Sequence, residues 1–323
     1  MVRISVITPC FNSAAFVGRT VASVRAQTLG DWEHVIVDDG SSDRSAEIVE
    51  TIGREEPRLK LIRQPNRGVA TARNTGFRAC SKDSQYLLFL DADDCVAPQA
   101  LEVMSRHLDE HPEVGVVHTE PTFIDADDRV MSVHPSQVGW SPRYVPAGLG
   151  VRVLAPEELE TPFASVYNLA SIIPSVSLIR RSVYEQAPGW DESFGQHYED
   201  TDLLLQLAIR SRFHFLPRKL VHHRRHAGQN TADPRRFGRQ EDKLFAKWRN
   251  MPGLSAEQRR VLDAARRFRE GPMALYGGMR SGTDRMRRGQ WASAARFYAG
   301  AIRRYAGWFF ALPMDGGIGM AHR

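Results

Sequence analysis

The chain has 323 residues, 42% of them hydrophobic and 25% charged, which suits an ordinary soluble protein with one large or two modest domains around a real core. Its three cysteines, Cys10, Cys80 and Cys95, show no CxxC spacing. That argues against a disulfide framework or a cysteine zinc site and makes a reducing, cytoplasmic compartment the expectation. The formal charge of +5 conceals an asymmetry: residues 235–304 hold 18 Lys and Arg against 6 Asp and Glu, whereas the rest of the chain holds 25 against 32.

The N-terminus runs almost at once into ISVITP, without the charged, apolar and cleavage regions of a secretory signal. ISVIT at 4–8 reads as a buried strand, and the helix after it repeats Val17, Val21, Val24 and Thr28 at helical spacing. HVIVD at 34–38 is a second strand, followed by Ser42 or Asp43 as the cap of a helix with Ala46, Val49 and Ile52 on its inner face. LKLIR at 59–63 is a third strand. Val69, Ala72, Gly76, Phe77 and Cys80 mark the next helix, and YLLFL at 86–90 the fourth strand. After Pro98 a helix buries Leu101, Met104 and Leu108, and VGVVH at 114–118 returns as a strand. Such alternation predicts an α/β fold, a mostly parallel sheet covered by helices on both faces.

In open parallel sheets ligands bind at the carboxyl ends of the strands. Pro9 to Asn12, Asp38 to Ser41, and Asp91 to Asp93 occupy three such ends. The last belongs to LLFLDADDCVAP, an apolar run that breaks into three carboxylates and reads either as a solvated, inert turn or as a metal site at a strand end. Neither a GxxxxGK[ST] loop nor a GxGxxG fingerprint occurs, so P-loop and dinucleotide readings lose their main support. IDADDR at 124–129 repeats the acidic letters, but its polar surroundings read as a hairpin turn without chemistry.

TPCFN at 8–12, VDDGSSD at 37–43, NRGVATARNTG at 66–76, LDADD at 90–94, GWDESF at 189–194 and YEDTDL at 198–203 resemble the ordered motifs of family 2 glycosyltransferases. The resemblance spans roughly residues 1–230 and implies the GT-A fold, a Rossmann-like sheet that binds a nucleotide-diphosphate sugar, most readily a UDP-sugar. It further implies a divalent cation, Mn2+ or Mg2+, held by Asp93. Asp91 and the backbone at Ala92 face the ribose and diphosphate; Asp94 is structural. Asp39 reads the base, with the backbone near Thr8 and Pro9 and the ring of Phe11 lining the same pocket; Asp38 can equally be a turn acceptor. Arg73 matches a position near base or phosphate, and a helix-surface arginine is the other reading.

An inverting transfer needs one carboxylate to take the acceptor hydroxyl's proton, and the resemblance places that role on Asp200. DTDLLLQLAIR puts Leu204, Leu207, Ala208 and Ser211 on one helical face, so Asp200 stands at or just before a helix start, where it could also serve as a cap. Glu199 and Asp202 compete for the assignment, and Tyr198 stands where the family more often has a small residue. In HHRRHAGQN at 222–230, His226 matches a histidine that approaches the metal or diphosphate, and Arg224 or Arg225 could counter phosphate charge. An exposed, chemically silent strand edge is the alternative for that cluster.

Residues 121–175, with Trp140, Tyr144, Phe163 and Tyr167, are expected to form acceptor loops, helped by the neighbourhood of Trp190 and Asp191. The expected domains are a GT-A domain at 1–234, with a nucleotide-sugar half at 1–120 and an acceptor and base half at 121–234, and a basic helical region at 235–323. In the latter, Ala294, Phe297, Tyr298, Ala301, Ile302 and Tyr305 form an apolar stripe suited to docking or to a homodimer. Its charge reads as a solvated face, with peripheral contact at an anionic lipid surface as the other reading and no nucleic-acid partner. No apolar stretch approaches the roughly 18 residues that span a bilayer, the nearest being AGWFFALPM. No QxxRW pattern follows the ED pair, so by resemblance a single, non-processive addition is expected, onto a glycan or a lipid-linked or cell-surface polysaccharide precursor. The other readings are a nucleotidyltransferase, which would want a basic loop after the first strand, and a catalytically silent nucleotide-sugar-binding module.

Overall fold

Strand β1 (Ile4–Cys10) lies inside an eight-stranded sheet, paired in parallel with β2 (Trp32–Asp38) on one side and with β4 (Tyr86–Phe89) on the other. Beyond β2, β3 (Leu59–Arg63) extends the sheet, again in parallel. A computed structural model describes residues 2–132, 144–147, 150–153, 155, 157–168, 172–195, 197–228, 237–268, 283, 286 and 289–310. Trp140 lies outside the described residues, as do the side chains of Tyr144, Tyr167, Phe297, Ala301 and Tyr305.

The other half of the sheet holds β5 (Cys95–Val96), β6 (Val114–Ile124), β9 (Ser177–Arg180) and β10 (Arg212–Arg224), giving the order β3-β2-β1-β4-β9-β6-β10-β5. A separate two-stranded sheet joins β7 (Tyr144–Ala147) to β8 (Gly150–Val153). The expected mostly parallel arrangement holds, with two antiparallel insertions that the sequence reading passes over: β9 between β4 and β6, and β5 against the end of β10. SLIR and CV are too short to display a period, and what makes them strands is the paired neighbours on the sheet. The strand expected at 114–118 continues to Ile124, and the first helix, α1 (Val17–Arg25), stops short of Thr28, whose amide instead bonds the carbonyl of Pro98 at 2.8 Å.

Helices α2 (Ser45–Gly53), α3 (Val69–Ala79) and α4 (Ala100–Glu110) follow their strands as alternation requires. Ile4, Val6, Leu88 and Val117 share a buried cluster with Val24 of α1 and with Leu101, Met104 and Leu108 of α4. Ile7 alternates to the other face, where it meets α3. That approach depends on Gly76: a Cβ there would lie 2.4 Å from Ile7 Cγ2 and 3.3 Å from Val37 Cγ2. Short α5 (Phe163–Asn168) and α6 (Arg181–Tyr184) precede α7 (Glu199–Ala208), whose start reaches the carboxyl edge of the sheet through Arg73.

The structure divides into two units, residues 1–145 with 153–254, and residues 146–152 with 255–323. The boundary expected at 234 therefore falls inside the first unit, which takes in α8 (Phe237–Arg249). Leu244 and Trp248 are fully buried there, and Trp248 Nε1 donates to Asp202 at 2.9 Å. The second unit contains α9 (Ala256–Phe268) and α10 (Trp291–Phe310), in which Leu262 and Ala294 are buried while Ile302 is exposed. No described helix is long and apolar enough to cross a membrane.

Overpacking at the α3–β1 contact sets a direct test of this architecture. Gly76→Ala should lower the unfolding free energy by about 1–3 kcal/mol, measured by urea denaturation. Gly18→Ala, where a Cβ meets Ile48 Cγ2 at an ordinary 3.6 Å, should be neutral or slightly stabilising.

Candidate active site

The loops after β1 and β2 are locked to one another by short polar side chains. Asn12, in a left-handed conformation with φ 48°, accepts from the Ser42 amide at 2.8 Å, and its own amide donates to Ser41 Oγ at 2.9 Å. Asp43 accepts from the amides of Ala14 and Ser45 and so ties the β1 loop to the start of α2, whose cap position is Arg44 rather than the expected Ser42 or Asp43. Gly40 turns with φ 75°, and a Cβ there would lie 2.8 Å from the Asn66 amide nitrogen. This brings Asp39 against the loop before α3, where it accepts from Gln64 Nε2 at 2.7 Å, Arg67 N at 3.0 Å and Gly68 N at 2.8 Å. Three of the roughly four acceptor positions of a carboxylate are thus filled by protein, leaving one on Oδ2. Asp38 is also buried, and its Oδ1 has no described donor. Thr8 is fully buried with its hydroxyl on His34 Nε2 at 2.8 Å, so only its backbone is available. Pro9 is part-exposed, and Phe11, half exposed, offers a free aromatic face.

At the end of β4 the four residues of DADD take separate roles. The Asp91 amide donates to Ser175 Oγ at 3.1 Å, and the Ala92 carbonyl accepts from Thr20 Oγ1 at 2.8 Å, which fixes the turn from two sides. Asp93 Oδ2 lies 2.9 Å from His226 Nε2, just past the end of β10. Asp94 is fully buried and accepts from the Arg224 amide at 3.0 Å with His223 Nδ1 at 3.1 Å, so its role is to bind the turn to β10. Burial, then the neighbouring Asp94 and Asp91 charges, raise Asp93 above the ordinary carboxylate range.

Arg224, with no exposed surface, donates through Nε to the Asp93 carbonyl at 2.8 Å and through Nη1 to the Asp125 carbonyl at 2.9 Å, and pairs with Asp128 at 2.5 Å. It is therefore spent on backbone and carboxylate rather than offered to a phosphate. IDADDR is the expected hairpin turn, closed by the Ile124–Val130 bridge and the Asp125 amide on the Arg129 carbonyl.

Arg73 joins the fourth strand end to the ED pair. Only 3% exposed, it donates from Nη2 to Asp91 at 2.7 Å and from Nη1 to Glu199 at 3.2 Å, with its guanidinium 4.2 Å from the centre of the Trp190 ring. Expected beside base or phosphate, it clamps two acidic motifs together. Asn74, its neighbour on α3, holds Trp190 in place through both its amide and its carbonyl. The helix carrying the ED pair starts at Glu199, after Tyr198 in a left-handed conformation with φ 69°. Glycine takes that conformation without strain, and Tyr198 is one of the described non-glycine residues that adopt it.

The three acids at the start of α7 are sorted by their partners. Glu199 is held by Arg73. Asp202 is 1% exposed and accepts from Lys247 Nζ at 2.7 Å and from Trp248 Nε1, which makes it a seat for α8. Asp200 accepts from its neighbour Thr201 alone, through Oδ1, and its Oδ2 has no described donor. Burial raises Asp200, and burial followed by the Asp200 charge raises Glu199.

The donor set suits a hard divalent cation. Cis ligands about 2.1 Å from an octahedral ion lie about 3 Å apart, and Asp93 Oδ2 and His226 Nε2 are separated by 2.9 Å. Three adjacent carboxylates supply the excess negative charge that a cation neutralises.

A curled, mostly parallel sheet with acids gathered at its carboxyl edge defines a class, the nucleotide-sugar-binding folds of GT-A type. Residues 5–187 match the family described as Glycosyl transferase family 2, and the chain belongs to that family. An uncharacterised glycosyltransferase of Nostoc sp. is 37% identical over 136 residues, 42% of this chain and 41% of that protein, so less than half of the relative's length is matched. Among solved structures, TarS 1-349 of S. aureus in complex with UDP-GlcNAc superposes with a TM-score of 0.63 at 18% identity, over 94% of this chain and 83% of that one. The mannosyltransferase PcManGT of Pyrobaculum calidifontis, in complex with GDP-Man and Mn2+, gives a TM-score of 0.60 at 18% identity, over 98% and 76%. These likenesses establish the GT-A fold.

If Asp202 is a structural acceptor, deleting its partner should cost stability and leave the acids at the sheet edge alone. Lys247→Met should lower the unfolding free energy by about 2–3 kcal/mol in urea titration, somewhat under the roughly 3–5 kcal/mol of a fully buried pair because Lys247 is 28% exposed.

Proposed function

We infer that the protein is an inverting, divalent-metal-dependent glycosyltransferase that adds single sugars from a nucleotide-diphosphate sugar to a hydroxyl acceptor. The observation that carries this reading is the sorting at α7: Asp202 is tied to α8 through both oxygens, Glu199 is buried with one oxygen on Arg73 and the other without a described donor, and Asp200 alone of the three is part-exposed, held among the described residues only by its neighbour Thr201. A carboxylate that is part-exposed, raised by burial and unpaired at one oxygen is suited to accept the proton of an acceptor hydroxyl.

In this reading the base of the donor lies between Phe11, the backbone of Thr8 and Pro9, and the remaining acceptor position of Asp39. Asp91 and the Ala92 backbone face the ribose and diphosphate, and Asp93 with His226 would hold Mn2+ or Mg2+. Bound there, the cation would neutralise charge on the departing diphosphate as a Lewis acid. Arg73 keeps Asp91 and Glu199 at fixed positions, and Glu199 in turn fixes the residue beside the base. Asp200 takes the proton of the acceptor hydroxyl as it attacks the anomeric carbon from the face opposite the diphosphate. A UDP-sugar donor is supported by the UDP-GlcNAc bound to TarS, although the GDP-Man complex of PcManGT keeps a guanine nucleotide in the test set. The acceptor class proposed is a glycan or a lipid-linked or cell-surface polysaccharide precursor, met in the cytoplasm.

A panel of UDP-, GDP- and dTDP-sugars with and without Mn2+ tests the proposal. Turnover should require the divalent ion and fall about 10²–10⁴-fold in Asp200→Asn. Metal-independent turnover, or full activity in Asp200→Asn, contradicts the mechanism. Since the base must be ionised and burial raises it, kcat/KM should decline as pH falls, along a limb lying above the ordinary carboxylate value of about 4. A limb at or below that value would show that no buried carboxylate serves as base.

A further inference from the structure

At the opposite end of β10 from the site above, three histidines converge. His107 and His111 stand four residues apart, on the last turn and at the C-terminal cap of α4, so they share a helical face. His214 lies near the start of β10, beside Val117 of β6. One ring nitrogen from each comes within 4.8 Å of the others, and His107 Nε2 is 3.0 Å from His214 Nδ1. The rings face one another with centroids 4.4 Å apart for His107 and His111 and 5.2 Å for each with His214.

We propose that His107, His111 and His214 form a second metal site, for a borderline transition ion such as Zn2+, that staples the end of α4 to the start of β10. Ligands of a tetrahedral zinc at about 2.0–2.1 Å lie about 3.3 Å apart, so the His107–His214 pair is within a few tenths of an ångström of that spacing. Three imidazoles without thiolate favour Zn2+, Co2+ or Cu2+ over Mg2+ and Mn2+, which prefer oxygen. The Glu113 carboxylate lies 3.7 Å from His111 Nδ1, within ion-pair range but beyond hydrogen-bond distance. Glu160, bridged to His214, adds a second acid at the rim. Burial first, then neighbouring imidazoles, keep His107 and His214 neutral at physiological pH, so no proton need be displaced for either to ligate. The 13 residues of β10 separate this cluster from His226, on the order of 30–40 Å along an extended strand. The two sites therefore load independently.

Equilibrium dialysis of chelator-treated protein against Zn2+ tests the site, with Asp93→Asn as the background so that the strand-end acids contribute little. About one equivalent should bind at micromolar Zn2+ and raise the melting temperature. His111→Gln, at a part-exposed position that tolerates the change, should weaken binding at least tenfold, and His107→Gln should do the same. Co2+ in place of Zn2+ should show the intense visible bands of a tetrahedral site, lost in both variants. No bound equivalent in the background protein, or binding unchanged by both substitutions, overturns the proposal and leaves a hydrogen-bonded histidine cluster in the core.

Discussion

A buried guanidinium between two acidic motifs is the constraint on which the site depends. Asp91 ends the fourth strand and Glu199 opens α7, more than a hundred residues apart, and Arg73 touches both. Like charges gathered at one strand edge repel, and burial strengthens the repulsion by lowering the local dielectric. Arg73 offsets this with charge-assisted hydrogen bonds in two directions and with its face on Trp190. Asn74 then fixes Trp190, and Gly76, two residues further along α3, lets the helix approach β1 closely enough to deliver the guanidinium to the strand end.

Around that clamp the acids divide their work by what they touch. Asp94 is bound to β10, Asp202 to α8 and Asp39 largely to the loop before α3. Each is buried and accepts hydrogen bonds from protein, which makes it a strut. Asp93 and Asp200, both part-exposed, have fewer protein partners: His226 for the first and Thr201 for the second. The same letters thus take different partners, and in IDADDR Asp125 closes its own turn and offers its carbonyl to Arg224 while Asp128 pairs with Arg224 and Arg19.

Much of the fold was legible because its strands are buried on both faces and its first four helices carry apolar positions at helical spacing. VDDGSSD and LDADD could be placed at strand ends for the same reason. What stayed hidden depends on contacts distant in sequence. β9 is four residues whose strand character comes from β4 and β6. The partner of Arg73 could not be read from ARN, because a helix-surface arginine and a buried clamp have the same local pattern. α8 looked like the start of the basic region by composition, whereas Trp248 and Lys247 tie it to Asp202. Among the three acids of YEDTD, the partners of Glu199 and Asp202 lie on α3 and α8, distant in sequence, and could not be read from the motif.

A double-mutant cycle on Arg73 and Glu199 tests this account most directly. Unfolding free energies of wild type, Arg73→Met, Glu199→Gln and the double variant give the coupling between the clamp and the ED pair. A coupling of about 1–3 kcal/mol, with the double variant more stable than Arg73→Met alone because one uncompensated carboxylate has been removed, is the expected result. Additive effects, with no coupling beyond about 0.5 kcal/mol, would show that the two motifs are held together by something other than the guanidinium.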